Sequence, residues 1–114
     1  MTNKEKGTKL EQIVATKFKE SLKDSSIRAT KASGGGQRNT EQGDIYNNSD
    51  LIIECKNLND KSENIIFDMK VWNKLLNELS LGSTKKAIYI KQHNGEIYCM
   101  LTLSDLCRLI KEKR

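Results

Sequence analysis

The 114-residue sequence has no proline, a single histidine and no long apolar run. The absence of proline carries no functional implication. Because His93 is the only histidine, histidine-dependent nucleophilic catalysis and histidine-rich metal sites are not expected. No apolar run approaches the roughly 18 residues that a membrane-spanning helix needs, and no signal-peptide core is present. We therefore expect a soluble, cytoplasmic protein without a membrane partner.

The cysteines and glycines exclude two further kinds of site. Cys55, Cys99 and Cys107 are odd in number and lack C-x-x-C spacing, which indicates buried thiols in a reducing compartment and not zinc ligands. The three glycines at 34–36 lack the G-x-x-x-x-G-K-[ST] signature of a phosphate-binding loop, so no nucleotide cofactor is expected. They favour a mobile loop or a plain flexible connector.

The length and the charge distribution suit one domain that binds a polyanion. Residues 1–114 can form a single core but not two. Basic residues outnumber acids in 1–42 and 85–114, whereas acids outnumber basic residues in 43–84. Two basic flanks around an acidic centre could hold nucleic acid over a metal-binding middle. An ordinary lysine-rich surface would give the same distribution.

The apolar periodicity predicts an α/β fold of order αβββαββα. Helical spacing marks residues 8–24 and 67–81, and Gly82 is the expected cap of the second helix. Asn94-Gly95 between two β-type runs indicates a hairpin, and Thr102 with Asp105 resembles a capping box for a last helix. The expected strands are 26–33, 43–46, 51–56, 87–92 and 96–101. The prediction is a mixed β-sheet of about five strands flanked by helices.

The most informative segment is residues 43–56, which contain an apolar strand ending in charges. Glu54 and Lys56 are two residues apart, so both side chains point to one face of the strand that begins at Leu51. A turn-rich connection allows Asp44 to fold back beside Glu54. Two carboxylates and an ammonium group at a strand end are suited to metal-assisted phosphodiester hydrolysis. A buried ion-pair network is the structural alternative.

Glu11 falls inside the apolar stripe of the first helix, which is unusual for a carboxylate. It lies either at the rim of the stripe or in a functional cleft. The segment after this helix offers candidate contacts to nucleic-acid phosphates. They are Arg28, Lys31, Ser33, Gln37 and Arg38.

The element order and its carboxylates resemble the PD-(D/E)XK nuclease superfamily over roughly residues 8–101. Asp44 matches the first acid of the motif, and Glu54-Cys55-Lys56 matches E-x-K. Glu11 matches the acid that many members carry on their first helix, and Gly43 stands where the motif has proline. The chain looks closest to small archaeal-type and phage-encoded Holliday junction resolvases.

The resemblance implies an Mg²⁺-dependent endodeoxyribonuclease in which Mn²⁺ can substitute. Asp44, Glu54 and the Cys55 backbone carbonyl would bind the ion, and Glu11 would hold it through water or bind a second one. Lys56 would orient the attacking water, which completes the catalytic set Glu11, Asp44, Glu54 and Lys56.

The resolvase likeness further implies branched or four-way-junction DNA as substrate and a homodimer, since two strands must be cut symmetrically. Recognition of DNA shape is expected, because no separate sequence-reading module is present. Another PD-(D/E)XK nuclease of restriction, nicking or repair type remains an alternative, as does a non-catalytic DNA-binding protein of this fold.

Overall fold

The computed structural model describes residues 3–30, 43–56, 63–79 and 84–113, with side chains described from residue 8 onward. In these ranges the element order is the predicted αβββαββα. The elements are α1 (Asn3–Leu22), β1 (Arg28–Ala29), β2 (Ile45–Tyr46), β3 (Leu51–Lys56), α2 (Met69–Asn77), β4 (Lys86–His93), β5 (Glu96–Met100) and α3 (Leu103–Glu112). The predicted α/β class and the restriction-endonuclease-like arrangement of mixed strands and flanking helices are confirmed.

The five strands divide between two sheets instead of forming one. β3 and β4 are parallel, β4 and β5 are antiparallel, and β1 pairs with β2 in a separate antiparallel ribbon. The reason lies where β2 approaches β3. The backbone N–H of Asp44 donates to Ile53 O, but the next N–H along β3, that of Cys55, donates to the Asp44 carboxylate. The Asp44 carboxylate thus takes the place of the backbone carbonyl that would accept this N–H if β2 and β3 formed a continuous ladder.

The two faces of β3 pack against different helices. Ile53 and Cys55 face α1, in a core that also contains Leu10 and Val14. Ile52, on the other face, packs with Trp72 and Leu75 of α2 and with Ala87 and Tyr89 of β4. Because successive side chains of a strand alternate, Glu54 and Lys56 share the face of Ile52 and point toward α2. Trp72 is a buried core residue.

The turns follow the predicted chemistry. Asn94 and Gly95 both have positive φ, 49° and 81°, which is the conformation of a type I′ hairpin turn. Thr102 caps α3 by accepting the Asp105 backbone N–H. At the far end of α3, Glu112 pairs with the buried Lys86 at 3.0 Å, which ties this helix to the first residue of β4.

Several element boundaries differ from the predicted ones. The first helix begins at Asn3, before the apolar stripe starts, because such a stripe marks only the packed portion of a helix. α2 begins after its N-cap Asp68 and ends at Asn77 with Glu78 as its C-cap, so it is shorter than predicted. The predicted cap Gly82 lies outside the described residues. In the described part of the chain, none of the helices is both long and apolar enough to cross a membrane.

Candidate active site

Strand β3 presents Glu54 and Lys56 at its carboxyl end, on the face toward α2. Their side chains form an ion pair, with 3.6 Å between Lys56 Nζ and Glu54 Oε1. The Glu54 side chain is 22% exposed and that of Lys56 is 41% exposed, so both reach a surface cleft. Cys55 points to the opposite face, where its side chain is buried against α1. Alternation along one strand thus separates the charged pair from the core.

Asp44 is fixed beside this pair by two hydrogen bonds to β3. Its backbone N–H donates to Ile53 O at 2.6 Å, and its Oδ2 accepts the Cys55 N–H at 2.8 Å. The turn between β2 and β3 is stabilised by Asn47, whose side chain donates to the carbonyls of Ile45 and Leu51. The predicted fold-back of Asp44 onto the end of β3 is therefore present.

Gly43 permits the close approach that brings Asp44 to β3. Its φ is +74°, and a Cβ built there would lie 2.7 Å from Ile53 O and 2.8 Å from Ile53 N. Both contacts are with backbone atoms and are too short for any side chain. Thr30 also holds this segment in place. Its hydroxyl donates to Gly43 O and its N–H donates to Asp44 O, each at 2.9 Å. The sequence-based prediction missed this positioning role of Thr30.

Glu11 joins the group from α1. The side chain is half-buried, and its carboxylate lies within electrostatic range of Asp44, Glu54 and Lys56. Burial, together with repulsion from Asp44 and Glu54, raises the pKa of Glu11 to about 7, although Lys56 opposes the shift. Glu11 is therefore neither fully buried in the apolar stripe nor fully exposed, and its carboxylate lies on the side of α1 nearest the other charged groups.

The other two carboxyl groups are perturbed in the same direction. Burial and the nearby Asp44 raise the pKa of Glu54 to about 7, against the opposing effect of Lys56. Burial also raises the pKa of Asp44 above its ordinary value, and the Cys55 N–H and Lys56 only partly offset this. Three acids, from α1, from β3 and from the residue before β2, therefore have raised pKa values, chiefly because each is partly buried. Such crowding of titratable groups is typical of functional sites.

The second helix forms the opposite wall of a cleft of about 250 Å³ that contains Glu54 and Lys56. Lys70, Lys74 and Glu78 line this wall, with Val71 and Leu75 between them. The charge of Glu78 contributes to the raised pKa values of both Asp44 and Glu54. None of the three charged α2 residues was predicted to belong to the site. The sequence did contain a signal for this shared location. The three residues are four apart, and this spacing places them on one face of a helix.

The comparisons with known proteins point to the same chemistry. A family described as "Phage putative PDDEXK endonuclease" matches residues 2–114. The chain belongs to this family. It is thus a nuclease of the PD-(D/E)XK superfamily, and DNA is the substrate that the family implies. No curated protein and no solved structure shows a significant match to the nuclease.

The nuclease departs from the proline of the motif at Gly43 for a structural reason. Proline is restricted to φ near −65°, whereas Gly43 has φ +74° and is in contact with the β3 backbone. Neither proline nor any other residue with a Cβ fits there without movement of the chain. The acid that follows, Asp44, keeps its place beside Glu54.

A divalent metal ion was expected from the resemblance to PD-(D/E)XK nucleases, and the oxygen donors at the site are of the kind that such ions prefer. Among the described residues, no group of three Asp, Glu, Cys or His side chains is placed to hold a metal ion by itself. Asp44 accepts the Cys55 N–H and Glu54 pairs with Lys56, so these carboxylates contact groups of the chain itself. Two acids with raised pKa values and backbone carbonyls are oxygen donors of the kind that hard cations prefer. The Cys55 sulfur is not such a donor, because burial raises the pKa of its thiol.

The predicted DNA-contact residues are only partly within the described chain. Arg28 is exposed on β1, and its guanidinium lies 4.9 Å from the centre of the Tyr46 ring. The other four predicted contacts, Lys31, Ser33, Gln37 and Arg38, lie outside the described residues.

The raised pKa values predict how the stability of the metal-free nuclease depends on pH. Glu11 and Glu54 titrate near pH 7 when folded but near their ordinary value of 4.5 when unfolded. Between these pH values the folded state binds more protons than the unfolded state, so the free energy of unfolding falls as pH rises. Thermal unfolding in EDTA should therefore show a lower midpoint at pH 7.5 than at pH 5, apart from contributions from other groups.

Replacement of either acid should isolate this effect. Glu11→Gln and Glu54→Gln should each weaken the pH dependence, because each removes one of the two carboxyl groups that titrate near pH 7. Glu20→Gln, which removes an exposed acid of α1, should leave the dependence as in the wild type. An unchanged pH dependence in both the Glu11→Gln and the Glu54→Gln variant would contradict the assigned burial and repulsion.

Proposed function

We propose that the nuclease is a metal-dependent endonuclease that cuts branched DNA at the site formed by Glu11, Asp44, Glu54 and Lys56. The observation that carries the proposal is the hydrogen bond from the Cys55 N–H to Asp44, which fixes this acid next to Glu54 and Lys56. Glu11 of α1 lies within electrostatic range of Asp44, Glu54 and Lys56. An ion-pair network would neutralise its charges, whereas this group leaves three acids with raised pKa values around the Lys56 ammonium.

In this proposal Asp44, Glu54 and the Cys55 carbonyl hold Mg²⁺ or Mn²⁺, and Glu11 holds it through water. When bound, such an ion lowers the pKa of a coordinated water and offsets charge that develops on the phosphate. The chain itself supplies position and charge. Lys56, which pairs with Glu54 in the structure, would orient the attacking water and bind a phosphate oxygen. Thr30 holds Asp44 in place through its hydrogen bonds to the carbonyls of Gly43 and Asp44, and Gly43 allows the Asp44 N–H to reach Ile53 O.

The contacts proposed for the DNA backbone begin at Arg28, which is exposed beside β2. Lys31, Ser33, Gln37 and Arg38 would continue this track in the segment that follows. The described end of β1 lies beside Asp44, whose carbonyl accepts the Thr30 N–H. A strand bound along β1 would thus pass close to this acid.

We further propose that two copies act together on a junction, because symmetric incision needs two active sites. Exposed apolar side chains on β5 and α3 support a dimer through this part of the molecule. They are Tyr98, Leu103, Leu106 and Ile110. β5 is also an edge strand of the three-stranded sheet, which makes it available for pairing with a second copy.

Cleavage of four labelled DNA substrates would test the proposed function. The substrates are a four-way junction, a flap, a nicked duplex and a linear duplex, each incubated in Mg²⁺ and in EDTA. We expect paired cuts on opposite strands of the junction in Mg²⁺ and none in EDTA. Metal-dependent cutting of all four substrates would retain the chemistry and exclude junction specificity. A protein that binds DNA but cuts nothing in Mg²⁺ or Mn²⁺ would overturn the catalytic proposal.

A further inference from the structure

The α2 wall of the cleft carries two lysines that face the acidic site. Lys70 and Lys74 line the same cleft as Glu54 and Lys56. They are four residues apart, so they lie on one side of the helix with about 6 Å between them along its axis. Their placement is set by the neighbouring Trp72 and Leu75, which are buried under the helix, and by the Asp68 cap at its start.

These two ammonium groups are available to a ligand. Both side chains are exposed, and within the described ranges neither forms an ion pair. By contrast, Lys86 is paired with Glu112 and Arg108 with Asp105. A phosphate approaching Glu54 would be repelled by the acids on the β3 side. Cations on the facing wall would offset this repulsion at a short distance.

From this arrangement we propose that Lys70 and Lys74 bind the phosphate backbone of the DNA strand that enters the cleft. The inference rests on the proposed function, because it takes the cleft at Glu54 as the cutting site. It adds a second phosphate-binding wall on α2, on the opposite side of the cleft from β3. The substrate strand is then held between α2 and the end of β3, and Lys70 and Lys74 hold it in register with the acids without taking part in the chemistry.

The test is the salt dependence of DNA binding in EDTA, measured by fluorescence anisotropy with a labelled linear duplex and a labelled junction. Each phosphate contact contributes about 0.9 to the slope of log affinity against log salt for B-form DNA. For Lys70→Ala/Lys74→Ala we expect a slope shallower by about 1.8. Affinity should then fall roughly tenfold less than in the wild type between about 50 and about 200 mM salt. Lys70→Arg/Lys74→Arg should keep the wild-type slope.

Lys111→Ala/Lys113→Ala is the matched control, because it also removes two exposed lysines from a helix. The control lysines lie far from the cleft. They flank Glu112, which pairs with Lys86 at the start of β4. Lys56 of the cleft lies beside Lys91, five residues further along β4 and therefore about 16 Å from Lys86 along the strand. We expect a control slope close to that of the wild type, and circular dichroism should show that both double variants are folded.

The outcomes separate this inference from the proposed function. If Lys70→Ala/Lys74→Ala binds with the wild-type slope, the α2 contacts are excluded, even when the wild type cuts DNA in Mg²⁺. If the slope falls as expected but the wild type cuts no DNA, the basic wall stands and the catalytic proposal is wrong. An equal loss of slope in the Lys111→Ala/Lys113→Ala control would show a general charge effect and would overturn the inference.

Discussion

Replacing Glu54 with glutamine should reduce the rate of DNA cleavage in Mg²⁺ by at least about a hundredfold, a typical loss when a single group that stabilises the transition state is removed. Glutamine keeps the shape of the side chain but removes the charge that is proposed to hold the cation. DNA binding in EDTA should be unchanged or slightly tighter, because one source of repulsion toward phosphate is lost. Single-turnover cleavage of a labelled junction in Mg²⁺ and fluorescence anisotropy of the same junction in EDTA measure the two effects separately.

The charge-matched control is Glu20→Gln, which removes an exposed acid of α1 that does not line the cleft. This variant should cleave at the wild-type rate. The folded state of Glu54→Gln should be no less stable than the wild type near neutral pH, because the replaced carboxyl is half-buried and has a raised pKa. Wild-type cleavage by folded Glu54→Gln would show that the reaction occurs elsewhere.

Replacing Gly43 with alanine should lower the free energy of unfolding by about 2–5 kcal/mol, the sum of backbone strain and overpacking. The added Cβ would lie 2.7 Å from Ile53 O and 2.8 Å from Ile53 N, and the φ of +74° would be strained as well. Because Asp44 is the next residue, the movement that relieves this contact should also displace the acid. Urea unfolding and the cleavage rate should therefore both be affected.

Gly95→Ala separates the two causes. Gly95 has a similar φ of +81°, but a Cβ there would meet nothing within 4 Å. Its replacement should cost about 1–2 kcal/mol from backbone strain alone and should leave the cleavage rate unchanged. Equal losses of stability in the two variants would contradict the close approach of Gly43 to β3.

The sequence predicted those parts of the site that depend on strand alternation and helix spacing. Glu54 and Lys56 share a face because they are two residues apart, and Glu11 was identified as a carboxylate within an apolar stripe. Asp44 was identified from the turn residues that follow it. Each of these inferences needs only local sequence features: residue spacing for Glu11, Glu54 and Lys56, and turn composition for Asp44. Each was therefore accessible before the tertiary structure was known.

The features that could not be predicted depend on contacts between segments. The Cys55 N–H can donate to the Asp44 side chain only after β2 approaches β3, and this contact divides the strands between two sheets. The cleft wall formed by Lys70 and Lys74 depends on how α2 lies across the sheet. The contact of Gly43 with Ile53 likewise has no signature in one sequence, since many glycines occupy turns for other reasons.

One consequence of the two-faced strand β3 concerns changes in chain length. Ile53 and Cys55 belong to the core under α1, whereas Ile52 packs under α2 beside the cleft that holds Glu54 and Lys56. A single residue inserted between Leu51 and Glu54 would exchange these two sets, so that charge enters the core and apolar side chains occupy the cleft. Homologous sequences should therefore keep the spacing of β3 even where its apolar side chains differ, with insertions and deletions confined to the connections on either side.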